Sequence, residues 1–184
     1  MSKHTMEMIL EYAKIFPQNA DMGSPTGSDA AKAVHAKGGQ YIVNAYFTSE
    51  DQIQELIKAG LNLTVMNSQR IINGNAEFGI GKFMKLKRDL EDKIKTFDNK
   101  GKEVTINYGG PVGVVNLTNG SENKAWWSVE EDGLIGNGTR AMVQFEMYKN
   151  GSGLRLKNVG ITDHVPYESS NGYNAEADEM FKVA

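Results

Sequence analysis

The sequence predicts a mostly β fold, in which five or six strands form a small antiparallel barrel or sandwich with one or two helices. Apolar and polar residues alternate with a period of two in several segments, which is the pattern of half-buried strands. Tight turns of the Asn-Gly type separate those segments. With 184 residues and no cysteine, the chain fits one domain that is large enough to bury a core without disulfides.

Strands are expected wherever this alternation is sustained. Residues 83–87 and 141–148 are the clearest examples, because their apolar side chains fall on one face. Asn158 interrupts the alternation of the last strand and indicates a slip in its pairing. The run 109–113 combines glycine with proline and suits a barrel corner or a bulge. The remaining strands are predicted at residues 41–47, 61–65, 104–108 and 154–165, and turns at residues 73–74, 98–101, 119–120, 137–138 and 150–151.

The sequence predicts one clear helix and leaves the N-terminal segment undecided. Ser49 and Gln52 have the spacing of a capping box, and Gly60 is typical of the residue that ends a helix. Residues 1–39 are mixed: residues 9–16 fit both a helix and a strand, Pro17 ends either element, and residues 21–29 are expected to form a loop. One side of the predicted helix carries Ile53, Leu56 and Ile57.

Neither a catalytic centre nor a metal site is predicted. The lack of cysteine excludes thiolate nucleophiles, zinc–cysteine sites and iron–sulfur clusters. Of the three histidines, only His164 has an acidic neighbour, Asp163, and adjacent strand residues point to opposite faces. The glycine pairs at 79–81 and 136–138 are not followed by the helix of a phosphate loop. The chain is therefore expected not to be an enzyme and to need no cofactor.

Charge is distributed unevenly, although the net charge is only −3. Residues 82–102 hold eight basic and four acidic residues, whereas residues 168–184 hold one basic and four acidic residues. The first stretch favours a polyanionic partner. The second has a net charge of −3, which equals the net charge of the whole chain. No segment has the length and apolarity of a membrane span or the pattern of a signal sequence, so the cytoplasm is the expected compartment.

An aromatic residue lies among lysines on the most basic predicted strand. Phe83, Lys85 and Lys87 share one face, and the two residues between them belong in the core. An outward ring that stacks on bases, beside ammonium groups that neutralise phosphates, is suited to single-stranded nucleic acid. The alternative is a solvated edge strand whose lysines prevent aggregation, with Phe83 tucked under a loop. Lys82 and Arg88 extend the same basic stretch.

Two further groups extend this predicted surface. Trp126 and Trp127 are adjacent, and either both pack inside the protein or one of them stacks on a base. Tyr148 lies on the face opposite Phe145 and is a second candidate for stacking. The alternative for this second group is a polar outer sheet face. The basic residues grouped with Tyr148 are Arg140, Arg155 and Lys157.

Residues 168–184 are predicted to form a flexible acidic tail after a domain of residues 1–167. A negatively charged segment with an aromatic residue imitates a nucleic-acid strand, which favours folding onto the protein's own basic groove. It equally suits a docking peptide for a basic partner, and a disordered end without function is the third alternative. Either role would depend on Glu176, Asp178, Glu179 and Phe181.

Three segments resemble the single-stranded DNA-binding proteins of tailed phages. Residues 133–168 have that family's order of a glycine-flanked turn, an alternating strand, a short hairpin and a valine-rich strand that closes on a tyrosine, and residues 16–19 (FPQN) and 37–44 (KGGQYIVN) are also similar. The resemblance implies an OB-fold-like small antiparallel β-barrel. It also implies a homodimer that coats unpaired DNA in phage replication, recombination and repair, in the cytoplasm of the host cell. In that family an acidic tail recruits the polymerase and the helicase-primase.

The combined prediction is a protein that coats single-stranded DNA without strong sequence preference. It depends on Phe83 being exposed and on Lys85 and Lys87 lying along a continuous trough. The alternative is a structural or virion-associated β module that binds protein or glycan through the same surface.

Overall fold

The structure, a computed structural model, describes residues 2–91, 94–106 and 109–168. Strands make up most of its regular structure, as the sequence predicts. The described strands are β1 (Ser2–Lys14), β2 (Gln40–Phe47), β3 (Thr64–Val65), β4 (Ser68–Gln69), β5 (Ile72–Asn73), β6 (Lys82–Asp89), β7 (Ile94–Phe97), β8 (Glu103–Ile106), β9 (Gly113–Asn116), β10 (Ala125–Trp126), β11 (Thr139–Tyr148) and β12 (Gly153–Asp163). The described helices are α1 (Asp29–Ala36), α2 (Glu50–Lys58) and α3 (Val129–Asp132), with 3₁₀ turns at Ser121–Asn123 and Lys149–Gly151.

Eight strands form one sheet in the order β10-β9-β12-β11-β1-β2-β6-β5. Neighbouring strands in it run antiparallel except β12 and β9, which pair in parallel. β3 pairs with β4, and β7 pairs with β8, as two separate hairpins. The parallel pair departs from the mostly antiparallel arrangement that the short turns predict.

The N-terminal segment, undecided from the sequence, forms the central strand β1. It pairs with β11 on one side and with β2 on the other. Met6, Met8 and Leu10 lie in the main core, and Ile9 is buried in the separate cluster of Tyr46 and Phe83. Strand partners on both sides satisfy the backbone hydrogen-bonding groups, and this tertiary pairing decides between two local patterns of similar strength.

The sheet curls but does not close into a barrel. The β6 and β12 backbones approach within 8 Å, yet no backbone ladder joins these two strands in the sheet. Arg88 of β6 bridges the gap, because its guanidinium donates to the carbonyl oxygens of Gly110 at 2.8 Å, Gly109 at 2.5 Å and Leu156 at 3.4 Å. The prediction of a closed barrel is therefore wrong. We call this gap between β6 and the first half of β12 the seam.

The predicted helix forms as α2, with Ile53 and Leu56 buried against the sheet. Ser49 occupies the N-cap position, but its side chain makes no capping hydrogen bond. The predicted capping box does not form, because Gln52 Oε1 accepts from the backbone N–H of Thr48, one residue before the N-cap, at 2.8 Å. Helix α1 was not expected. It begins after Ser28 and buries none of its side chains, so no apolar period marks it in the sequence.

The slip predicted near Asn158 is confirmed. Gln144 pairs with Asn158 and Phe145 pairs with Leu156, so Lys157 is an extra residue in β12. By contrast, the alternation over residues 61–65 produces only the two-residue strand β3. No helix in the described part of the chain combines the length and apolarity needed to cross a membrane.

Candidate nucleic-acid interface

Phe83 lies on the strand face that the sequence predicts, but it is not exposed. Its residue surface is only 7% accessible. The ring centroid lies 5.0 Å from that of Tyr46, its cross-strand partner on β2, and Tyr46 packs edge-on against Phe78 at 5.4 Å. The loop from β5 to β6 covers this cluster, and it approaches so closely that a Cβ on Gly74 would stand 2.2 Å from the Tyr46 hydroxyl. The expectation of an exposed Phe83 is wrong, because the loop buries the apolar surface.

Lys85 and Lys87 are exposed on the same outer face. The strand register places Lys85 beside Asn44 on β2, and it places Lys87 beside Ile42, which in turn pairs with Lys14 on β1. This face of β1, β2 and β6 therefore presents three lysines to solvent. We call it the outer lysine face.

A groove of about 910 Å³ lies at the seam. One wall comes from the end of β6, the other from the turn between β11 and β12, and the β3–β4 hairpin contributes Val65 and Met66. Of the described residues, six basic side chains line it against one acidic side chain, Asp89, which pairs with Lys37 at 2.7 Å. A groove with this excess of cations attracts polyanions. The basic lining residues are Lys37, Arg70, Lys87, Arg88, Lys149 and Arg155.

The cations of the groove are close enough to repel one another. Desolvation lowers the pKa of Lys87, and the positive charges of Lys37, Lys85 and Arg70 lower it further. Arg70 is also poorly satisfied, because its Nε is buried without a hydrogen-bond partner within the described residues, while its Nη2 donates to the Ser152 carbonyl oxygen. A bound phosphate would relieve this repulsion, since each anionic oxygen interacts favourably with several of these groups.

Tyr148 supplies an aromatic ring inside the groove. Its cross-strand partner is Gly153, and a Cβ at that position would stand 2.4 Å from the ring, so only glycine allows Tyr148 to lie against the β12 backbone. The Arg155 guanidinium carbon lies 4.5 Å from the ring centroid, and the Lys149 Nζ lies 5.8 Å from it. Cations at these distances interact with the ring electrons. The structure thus places Tyr148 together with positive charge, as the sequence predicts.

Arg155 and Lys157 converge on one buried carboxylate. Glu146 of β11 accepts from Arg155 at 3.0 Å and lies 3.5 Å from the Lys157 ammonium. The Arg155 side chain is only 11% exposed, so this pair is largely shielded from water. Both cations were predicted to contact phosphate, and in this structure both pair with Glu146. Desolvation and the nearby charge of Arg155 lower the pKa of Arg88, which crosses the seam next to them.

Two predicted cations lie away from the groove. Lys82 pairs with Glu50 at 2.8 Å, and Arg140 pairs with Glu7 at 3.1 Å. All four side chains are at least one-third exposed, so these are surface ion pairs that contribute little to stability. Neither residue lines the groove.

The two tryptophans lie at the far edge of the sheet, on β10 and directly after it. Trp127 is buried, donates its Nε1–H to the Gly133 carbonyl at 2.9 Å and packs edge-on against His164 at 4.7 Å. Trp126 is 77% exposed beside a separate apolar cleft of about 390 Å³. Neither tryptophan lines the groove, because β9 pairs with the second half of β12 and β10 lies beyond it, whereas the seam runs along the first half of β12.

Sequence patterns missed three residues that the fold brings to the interface. Lys37 ends α1, and Arg70 follows the β3–β4 hairpin, so neither belongs to a strand with a recognisable period. Tyr12 is 63% exposed on β1, two residues before Lys14 of the outer lysine face. It belongs to the N-terminal segment for which the sequence leaves helix and strand undecided.

The predicted tail residues Glu176, Asp178, Glu179 and Phe181 lie outside the described residues. Among the residues that are described, no group of three or more histidine, aspartate or glutamate side chains is placed to hold a metal ion.

The solved structures to which this fold is similar include single-stranded DNA-binding proteins of bacteriophages, the class of protein that the sequence resembles. One is gp2.5 of bacteriophage T7, which is 16% identical with a TM-score of 0.43 over 95% of this chain and 100% of that chain. Another is the single-stranded DNA-binding protein of bacteriophage Enc34, which is 11% identical with a TM-score of 0.48 over 95% of this chain and 89% of that chain. No family model matches the chain, and no curated protein matches its sequence.

Proposed function

We propose that this protein binds single-stranded DNA along the seam groove and the outer lysine face, and that it coats unpaired DNA during phage replication and recombination. The observation that carries the proposal is the groove itself, where Tyr148 lies among six basic side chains. This combination of a ring with a cationic channel is how proteins hold single strands.

Phosphate neutralisation is the proposed source of most of the affinity. Lys87 lines the groove and also belongs to the outer lysine face, so it connects the two surfaces into one cationic track. A strand that follows this track exchanges condensed counterions for lysine and arginine side chains, and the released ions favour binding. Because Arg155 and Lys157 already pair with Glu146, we assign the main phosphate contacts to Lys85, Lys87, Arg70 and Lys149.

The groove offers little with which to distinguish one base from another. Among its described lining residues there is no asparagine or glutamine to read an adenine edge, and Ser152 supplies the single aliphatic hydroxyl. Arginine can read guanine, but Arg70, Arg88 and Arg155 already donate to oxygen atoms of the protein. Ring stacking accepts every base, since each base has an aromatic face. We therefore propose binding without strong sequence preference. The alternative function is a structural or virion-associated β module. In the described part of the chain, no feature of the groove or of the outer lysine face favours it.

The double variant Lys85→Ala/Lys87→Ala tests the electrostatic part of the proposal. A fluorescent single-stranded oligonucleotide is titrated at several salt concentrations, and the slope of log K against log salt is measured. The slope should fall in magnitude by about 1.4, because each lost phosphate contact in single strands contributes about 0.7. The wild-type protein should also prefer the single strand to a duplex of the same length.

Lys58→Ala/Lys124→Ala is the matched control, because both lysines are exposed and neither lines the groove. It removes the same net charge and should leave the slope within about 0.3 of the wild-type value. A wild-type slope near zero would contradict the proposed function. Equal slopes for the two double variants would contradict the assignment of the phosphate contacts.

We further propose that residues 168–184 form a tail that competes with DNA for the groove and recruits replication proteins, the polymerase and helicase-primase, to a homodimer. The charge of the chain supports this, because these residues carry the whole excess of negative charge. Deleting residues 169–184 should raise the affinity for single-stranded DNA several-fold at low salt and less at high salt, since salt screens the competing charges. Fluorescence anisotropy of a labelled oligonucleotide measures the change.

The tail variant Glu176→Gln/Asp178→Asn/Glu179→Gln removes charge at constant length. It should reproduce most of the gain in affinity if charge is what competes. Unchanged or weaker DNA binding after the deletion would exclude a competitive role for the tail.

A further inference from the structure

Tyr12 interrupts the regular structure of β1. The pairing of β1 with β2 shifts register between Glu11 and Lys14, which is the signature of a β-bulge, and Tyr12 has a φ of 50° inside it. Bulky residues rarely adopt this left-handed conformation, because the side chain is crowded by its own backbone. Its ring is nevertheless 63% exposed, so burial of the side chain does not explain the strain.

A turn from another part of the chain holds this bulge in place. The Tyr12 backbone N–H donates to the Asn137 side-chain oxygen at 2.8 Å, and the Gly138 N–H donates to the Leu10 carbonyl oxygen at 2.9 Å. Gly138 adopts a φ of 96°, which suits glycine. The Asn137-Gly138 turn therefore contacts the backbone just before the bulge, at Leu10, and inside it, at Tyr12. Strained residues persist only when surrounding contacts fix them, and they are often functional.

The strand register places Tyr12 next to the outer lysine face. Glu11 pairs with Asn44, which pairs with Lys85, while Lys14 pairs with Ile42, which pairs with Lys87. Tyr12 lies between these two cross-strand rows, about 10 Å from β6 at the usual strand spacing. Burial raises the pKa of Tyr46, and Glu11 and Tyr12 raise it further, which also places the Tyr12 phenol near this face.

We propose that Tyr12 is a stacking platform for a base of single-stranded DNA whose phosphates follow Lys85 and Lys87 toward the groove. This inference rests on the proposed function and adds a residue to its site. The ring takes the role that the sequence assigned to Phe83, which the β5–β6 loop covers. A bulge is the means by which a strand turns one extra side chain outward, beside the lysines, without disturbing the alternation of its core residues.

Three variants of Tyr12 test the inference, with binding to a single-stranded oligonucleotide measured over a range of salt concentrations. Tyr12→Gly removes both the ring and the strain, so it should weaken binding roughly 5- to 100-fold while raising the midpoint of thermal unfolding. Tyr12→Leu keeps an apolar side chain without a ring and should weaken binding similarly. Tyr12→Phe keeps the ring and should bind within about twofold of the wild type. In all three the salt slope should stay at the wild-type value, because no phosphate contact is lost.

Tyr167→Ala is the control for loss of a surface tyrosine, because Tyr167 is half exposed and follows β12 away from β2 and β6. It should leave the affinity unchanged. If the wild type binds with a steep salt slope and Tyr12→Gly binds equally well, the stacking role is overturned and the proposed function stands. If the wild type shows no salt-dependent binding, the proposed function fails and this inference fails with it.

Discussion

Replacing Arg88 with alanine is expected to lower the free energy of unfolding by about 3–5 kcal/mol. The variant removes the charged donor to three carbonyl oxygens, on Gly109, Gly110 and Leu156. Carbonyl groups that lose their donor in a partly buried site carry a desolvation cost, and Glu146 loses a neighbouring positive charge at the same time. Urea-induced unfolding followed by the fluorescence of the buried Trp127 measures the change.

The same substitution should weaken DNA binding by more than one lost phosphate contact explains. Arg88 joins β6 to β12 across the seam, and both strands form walls of the groove. Without it the two walls are no longer held at a fixed separation. Arg88→Lys keeps the positive charge but presents a single ammonium group instead of a planar fork, so it should recover less than half of the lost stability.

Arg140→Ala provides the control for loss of an arginine. Its guanidinium pairs with Glu7 at the surface, where both side chains are about half exposed. Such pairs contribute about 0–1 kcal/mol, so the variant should unfold close to the wild-type midpoint. Equal destabilisation by Arg88→Ala and Arg140→Ala would show that the guanidinium of Arg88 does not hold the seam.

Local sequence patterns predicted many of the strands and the helix α2, but they did not predict how β6 and β12 approach each other across the seam. The alternation in β6 and β11, the capping residues of α2 and the slip at Asn158 all arise from residues close together in the chain. The open seam depends instead on contacts between Arg88 and residues more than twenty positions away. No local period encodes such contacts, so a closed barrel was the simpler expectation.

The candidate site also combines features that local sequence patterns predict with features that depend on tertiary contacts. The sequence placed Phe83 on the correct face, but its exposure depended on a loop that packs Phe78 against Tyr46. It grouped Tyr148 with Arg155 correctly, because they occupy facing positions of one hairpin. Lys37 and Arg70 reach the groove through tertiary structure alone. Burial also decides which cations remain available to a ligand, because the buried Glu146 carboxylate already pairs with Arg155 and Lys157.

Replacing that carboxylate, Glu146→Gln, is expected to move stability and DNA affinity in opposite directions. Glu146 is buried between Arg155 and Lys157, so its neutral isostere leaves cations without their counter-charge and should lower the free energy of unfolding by about 3–5 kcal/mol. Arg155 lines the groove, and Lys157 follows two residues later on β12. Loss of the Glu146 charge weakens the pairing that occupies both cations, so that phosphates compete for them more effectively.

Affinity for a single-stranded oligonucleotide should therefore rise at low salt. The slope of log K against log salt should steepen by up to about 1.4 if both cations find a phosphate. Adding Arg155→Ala to the Glu146→Gln variant should remove at least half of that increase. Measurements belong at a temperature where urea titration shows the variant to be folded, because an unfolded fraction would lower the apparent affinity.

Glu7→Gln separates this local effect from the change in net charge. Glu7 is exposed and pairs with Arg140 outside the groove, so its loss changes the total charge by the same amount without freeing a cation near bound DNA. Its affinity and its salt slope should stay near wild type, because exposed charges farther apart than about 10 Å are largely screened. If Glu146→Gln binds no more tightly than Glu7→Gln, the carboxylate does not compete with phosphate for Arg155 and Lys157. Their pairing with Glu146 would then stabilise the seam without limiting the affinity for DNA.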